Sequence, residues 1–283
     1  MRRRLLSKLS FGGSFAVLML AYLYAPLVLV VLYSFHRTGS LSIPFTGFSL
    51  RWYAEVFSTP LFLNSILYGV QVSVTVTVLA VAIGVAAAFG LSRACSRASG
   101  AVTGLLLAPM TMPAVFLGTG VLMFVHRVGI PNSFWTIVLG QLLVVLPLVV
   151  VIMRTTFDRL DPAVEEAARD LGASGLQVFL RVTLPAVRLV IAGAASLAFV
   201  LSFDEFPVTF FTSGTNSTVP LYIYALLSRT VDPSINAVSS LLMLFTFAVL
   251  GVSALVVLRN ARRGGGALRG GQVRSGDDRR EVS

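Results

Sequence analysis

The chain contains one cysteine, Cys95, two histidines, His36 and His126, and one lysine, Lys8. A lone cysteine excludes an internal disulfide, and neither histidine has a Cys or acidic cluster around it at metal-ligand spacing, so no metal site is legible. There is no glycine-rich phosphate loop ending in Lys-Ser/Thr, which excludes a P-loop ATPase. No nucleophile sits beside a base, and the one adjacent acidic pair near an apolar run, Asp204 with Glu205, has no partnering histidine, which argues against an enzyme. Charge is scarce as well, at 12% of 283 residues. The net charge of +10 lies between and beyond the apolar runs rather than in a basic stripe interleaved with aromatics, so nucleic acid is not an expected partner.

What the chain has instead is apolar length. It is 56% hydrophobic, with a mean hydropathy of +0.86. Runs near 20 apolar residues predict six membrane-crossing helices at roughly 15–35, 62–91, 101–125, 133–157, 186–211 and 235–258, an all-α integral membrane protein. The first run follows a basic start but is long enough to span and lacks a small-residue cleavage site, so it reads as a retained span. Of the 22 basic residues, Arg37, Arg51, Arg127 and Arg229 fall on one side of these spans and the other eighteen on the opposite side. Cytoplasmic segments carry the basic excess, which predicts both termini in the cytoplasm.

This reading divides the chain into a cytoplasmic N-terminus (1–14), a six-span domain (15–258) with a long cytoplasmic loop at 158–185, and a basic tail (259–283) with too little apolar surface to fold. The tail's arginines are candidates for contact with anionic lipid. In the first external loop, Ser49 is placed to cap a short interfacial helix with Leu50, Tyr53, Val56 and Phe57 on one face and Trp52 at headgroup level. Pro26, Pro109, Pro113 and Pro147 predict kinks, and Ala192 to Ser196 allows close helix approach.

The cytoplasmic loop carries the densest pattern. Asp161 is a natural N-cap and Pro162 suits the first helical position; Glu165 and Glu166 sit near the positive helix end. Gly172 is suited to ending that helix in the left-handed conformation, and Ser174 with Gln177 forms a capping box for a second. On the first helix Ala163, Val164, Ala167, Ala168 and Leu171 form a narrow apolar face. So short a helix is not stable alone, so this face rests on another protein or on the chain's own bundle.

Glu166-Ala167-Ala168, three residues, Gly172, nine residues, Val182, one residue, then Leu184-Pro185 resembles the EAA loop of ATP-binding-cassette importer permeases, with Val182 where isoleucine is common. The resemblance implies a MetI-like, type I importer transmembrane domain. It implies that the loop is a coupling element docking into a groove of a separate ATPase subunit, with Glu166, Ala167, Ala168 and Gly172 at the contact. Val164 and Leu171 flank it, and Leu184 and Pro185 set the join to the fifth span. ATP and Mg would then be bound by two partner ATPase subunits, with no cofactor on this chain.

Asp204 and Glu205, in "LSFDEFPVTFFTSG", fall about 28 Å along a straight helix from Pro185, near the far end of the hydrocarbon. A carboxylate there belongs at a wet path, at a partner or beside Arg229 rather than in lipid. The pair suits a cation, and Phe203, Phe206 and Phe210 suit an ammonium group; adjacent residues point about 100° apart, which leaves the choice between the two acids open. This stretch and "TVPLYIYALLSRTVDPSINAVSSL" resemble the PotC-type permease subunit of spermidine and putrescine importers. That implies a polyamine substrate, a second and different permease, an external substrate-binding protein and a bacterial plasma membrane. Thiamine or ferric iron permeases are the neighbouring readings. An ion-coupled secondary transporter fits less well, because the span middles carry few polar groups beyond Gln71 and Gln141 and no repeat is visible.

Overall fold

The computed structural model describes residues 11–38, 45, 47–94, 97–229 and 234–274, without the side chains of 11–12, 97–98, 229 and 260–274. Most of the expected N-terminal segment, part of the first external loop, Cys95 and residues 275–283 therefore lie outside the described residues. The described residues form helices α1 (Phe11–Ser34), α2 (Arg51–Ser58), α3 (Pro60–Arg93), α4 (Arg97–Leu107), α5 (Ala114–Arg127), α6 (Phe134–Phe157), α7 (Pro162–Asp170), α8 (Gly175–Val178), α9 (Leu184–Ala186), α10 (Arg188–Phe203), α11 (Pro207–Thr212), α12 (Val219–Arg229) and α13 (Ser234–Arg274). A 3-10 turn, Ala108–Thr111, follows α4, and a π-helical turn, Phe179–Thr183, joins α8 to α9.

Among the described residues, four helical stretches are each long and apolar enough to cross a membrane: Gly13–Ser34, Pro60–Arg93, Phe134–Phe157 and Ser234–Arg259. Two further pairs of helices are long and apolar enough only when taken together, and each pair is sharply bent. Ser99–Thr111 meets Ala114–Arg127 at 104°, and Gly175–Ala186 meets Arg188–Phe203 at 74°. The first break falls at Pro109 and Pro113, whose missing N–H groups and restricted neighbours end the α4 ladder, a far sharper turn than a kink.

The expected fifth span, 186–211, is corrected: α10 stops at Phe203, and α11 is a separate helix of six residues. Pro207 is the cause, because it has no N–H to continue the ladder. Helix α13 continues to Arg274, well past the apolar stretch. Extension onto an existing helix adds a hydrogen bond per residue without a nucleation cost, so a polar segment continues what it could not start.

The chain divides into two compact units, Met1–Asn64 with Tyr222–Phe245, and Ser65–Leu221 with Thr246–Ser283. In the first, the Ser49 hydroxyl accepts from the Arg51 N–H at the start of α2. The buried face of α2 is Trp52 with Val56, whereas Leu50 and Phe57 are exposed. Trp52 is thus not a headgroup anchor: its indole N–H donates to the His36 carbonyl at 2.7 Å, a partner that lets the ring be buried. In the second unit the core runs along α3, α6 and α10, through Val72, Val76, Ala80, Val145, Val149, Met153, Val187, Ala194 and Ala198.

Candidate functional site

The loop between α6 and α10 folds as its residues predict. The Asp161 side chain accepts from the Ala163 N–H at 3.0 Å, with Pro162 in the first turn of α7. Gly172 has φ +83°, and the Gly172 and Ala173 N–H groups reach the Arg169 and Ala168 carbonyls at 2.8 and 3.1 Å, a Schellman ending. Ser174 and Gln177 form the reciprocal capping box at the start of α8.

Which surface α7 presents is a matter the sequence left open. Ala163, Val164, Glu166 and Ala167 are exposed, Ala168 is half-buried, and Leu171 is 89% exposed. Among the described residues, the apolar face of α7 is therefore covered by the chain's own bundle only in part, at Ala168. The helix is held by its acidic side instead. Glu165 is buried, and its carboxylate accepts from Arg93 Nη2 at 2.6 Å, Arg93 Nε at 3.1 Å and the Thr183 hydroxyl at 3.1 Å. Arg169, one turn on, approaches it at 3.7 Å. The Arg93 guanidinium above all, helped by Thr183 and Arg169, holds this carboxyl below the usual carboxylate range against the opposing effect of burial.

Arg93 ends α3, also donates to the Phe157 carbonyl at 3.4 Å, and lies over the Phe89 ring. Phe89 in turn meets Phe157 at 5.6 Å and Phe179 at 4.6 Å between ring centroids. Leu184 packs against the core and Pro185 is exposed at the join to α10. Sequence reasoning noticed Glu165 only as a charge near a helix start, because nothing in the linear pattern brings Arg93, 72 residues away, beside it.

The acidic pair separates. Glu205 is buried, and its carboxylate accepts from the Val208 N–H at 2.7 Å, the Thr209 N–H at 2.9 Å and the Thr209 hydroxyl at 2.6 Å. It caps α11, supplying the acceptor that helix starts require. Asp204 is exposed, and both its oxygens accept from the Thr246 hydroxyl at 3.2 Å. Thr246 is twelve residues into the apolar stretch Ser234–Arg259, about 18 Å from its start. Asp204 is therefore beside the middle of an apolar span rather than at its edge. The alternative partner, Arg229, has its side chain outside the described part of the structure.

Of the aromatic candidates, Phe203 is buried, stacked on Phe199 and packed near Gly69. Phe206 is half-buried and Phe210 exposed, their ring centroids 5.7 Å apart. Behind them Gln141 is fully buried; its amide donates to the Thr209 hydroxyl at 2.8 Å and its carbonyl accepts from Ser202. Asn132 donates to the Phe211 and Ser213 carbonyls at the other end of α11. Both ends of this short helix are thus satisfied by side chains, the condition for irregular backbone inside a membrane protein.

Residues 80–264 match the family described as binding-protein-dependent transport system inner membrane component. The chain is 28% identical over 256 residues to the spermidine/putrescine transport system permease protein PotC of Haemophilus influenzae, covering 90% of this chain and 99% of that protein. It is 30% identical over 250 residues to the putrescine transport system permease protein PotI of Escherichia coli K12, covering 86% and 88%. Its fold is similar to a chain of a bacterial ABC transporter involved in the import of the acidic polysaccharide alginate, with a TM-score of 0.65 at 18% identity, covering 88% of this chain and 95% of that one. A chain of the MetNI methionine ABC transporter gives 0.55 at 15% identity, covering 71% and 98%. The chain thus belongs to the binding-protein-dependent transport inner membrane components, as a multi-pass permease subunit of an ABC importer rather than an enzyme.

Proposed function

We propose that this permease forms half of the translocation path for a polyamine of the putrescine or spermidine type, and that the exposed face of α7 docks on a separate ATPase. The observation that carries the substrate reading is Asp204: an exposed carboxylate beside the middle of an apolar span, with its neighbour Glu205 already consumed as a helix cap. Facing lipid, such a group would cost on the order of 3 kcal/mol, so it faces a wet path or a cationic partner. Phe206 and Phe210 offer π faces to ammonium groups. The names of the relatives, with 28–30% identity over most of the chain, point the same way.

The complete machine pairs this chain with a second, different permease, two ATPase subunits that bind ATP and Mg, and an external substrate-binding protein. Val164, Ala167, Leu171 and Glu166 form the contact with the ATPase, and Leu184 and Pro185 carry its movement into α10. Both termini lie in the cytoplasm of a bacterium, and the basic tail meets anionic lipid. The test is uptake of labelled putrescine and spermidine by the reconstituted complex, with unlabelled competitors. Asp204→Asn is expected to raise the half-saturating concentration at least about tenfold while ATP hydrolysis persists. Thiamine or ferric iron competing where polyamines do not would overturn the substrate reading.

A further inference from the structure

Glu165 joins the exposed loop helix to the elements beneath it. Its carboxylate, on α7, is bonded to Arg93 at the end of α3 and to Thr183 in the π-helical turn that leads to α10. Through Arg93 it also reaches the last carbonyl of α6 and the Phe89 ring, itself wedged against Phe157 and Phe179. By contrast, the apolar face of α7 touches solvent, so little packing holds this helix to the bundle.

We infer that Glu165, gripped by Arg93, is a positioning residue that transmits displacement of α7 into α3, α6 and the turn before α10. A partly buried bidentate pair suits this because its geometry is stiff in two directions, whereas an apolar contact slides. The π turn suits it as well: its wide ring leaves room for backbone rearrangement a few residues before the chain bends by 74°. A push on α7 then turns α10, and with it Asp204 at the far end, instead of merely sliding the loop. The inference rests on the proposed docking of α7 on an ATPase.

The experiment uses the assembled complex in lipid, comparing Glu165→Gln, Glu165→Ala, Arg93→Gln and the double variant Arg93→Gln/Glu165→Gln. Three quantities are read: ATP hydrolysed, labelled putrescine imported per ATP, and crosslinking of Ala167→Cys to the ATPase. Each single variant is expected to keep hydrolysis and the crosslink while import per ATP falls about tenfold, and the double variant to be no worse than either single one. Import per ATP unchanged with the crosslink intact overturns the inference and leaves docking standing. So does a parallel loss of import, hydrolysis and assembly in all variants, Glu165→Gln included, which marks a folding element only. Absence of the crosslink with native Glu165 and Arg93 overturns the docking itself.

Discussion

Asp204 and Glu205 are adjacent acids with opposite roles, and the difference is local geometry. Glu205 points back over the start of α11 and satisfies two backbone N–H groups that have no water to turn to. Glu205→Ala should therefore cost on the order of 3 kcal/mol, from the lost cap and two stranded donors, and lower the thermal unfolding midpoint in detergent. Glu205→Gln keeps an acceptor oxygen and should lose less than half of that. Glu165 makes a prediction of a different kind. Its carboxyl is held below the usual range, so the stabilisation it contributes is complete above the unfolded value of about 4.3 and is lost only as pH falls through the lower, folded one. Import per ATP should accordingly show no step attributable to this pair between about pH 5 and 8. A wild-type titration in that window that Glu165→Gln abolishes would contradict the paired state.

At the scale of elements, two short helices define the working parts. Helix α7 depends on the left-handed turn at Gly172, where an added Cβ would meet nothing within 4 Å. The penalty for Gly172→Asp is thus backbone strain on the order of 1 kcal/mol rather than a clash, enough to fray the end of α7 without unfolding the bundle. The expected outcome is normal membrane levels with import uncoupled from ATP hydrolysis, measured as uptake per ATP. Helix α11 depends on close approach. A Cβ at Gly118 would fall 2.8 Å from the Phe211 ring, 3.0 Å from the Val208 Cα and 3.1 Å from the Pro207 carbonyl. Backbone cannot yield as a flexible side chain does, so Gly118→Ala should displace α11 from α5, costing about 1–3 kcal/mol, and lower the unfolding midpoint.

For the whole molecule, the prediction is one of insufficiency. The exposed apolar spans show what solvent the chain is built for, with Phe15, Leu18, Tyr22 and Val28 of α1 all more than half exposed. No phosphate loop is present, and half a path is the proposed contribution of one permease. Liposomes containing this chain alone should take up no labelled putrescine with or without ATP. Uptake should appear only when a second permease, the ATPase and the binding protein are added. Sustained ATP-independent uptake by the lone chain would favour a secondary transporter.

The all-helical membrane architecture and the helix, glycine turn, helix of the loop were legible because both are local: apolar length reports a span, and Asp161, Gly172, Ser174 and Gln177 each act within a few residues of themselves. Pro207 was a visible warning that the fifth span would end early, yet what replaces the broken ladder, the Glu205 carboxylate with Gln141 and Asn132 behind it, depends on side chains from separate helices. Trp52 was misplaced for the same reason, since its partner is a backbone carbonyl sixteen residues away. Only the tertiary structure could decide that α7 buries its glutamate and exposes its apolar face. Hydrophobic patterning ranks residues by their affinity for water, whereas an arginine 72 residues distant makes a buried carboxylate the stable choice.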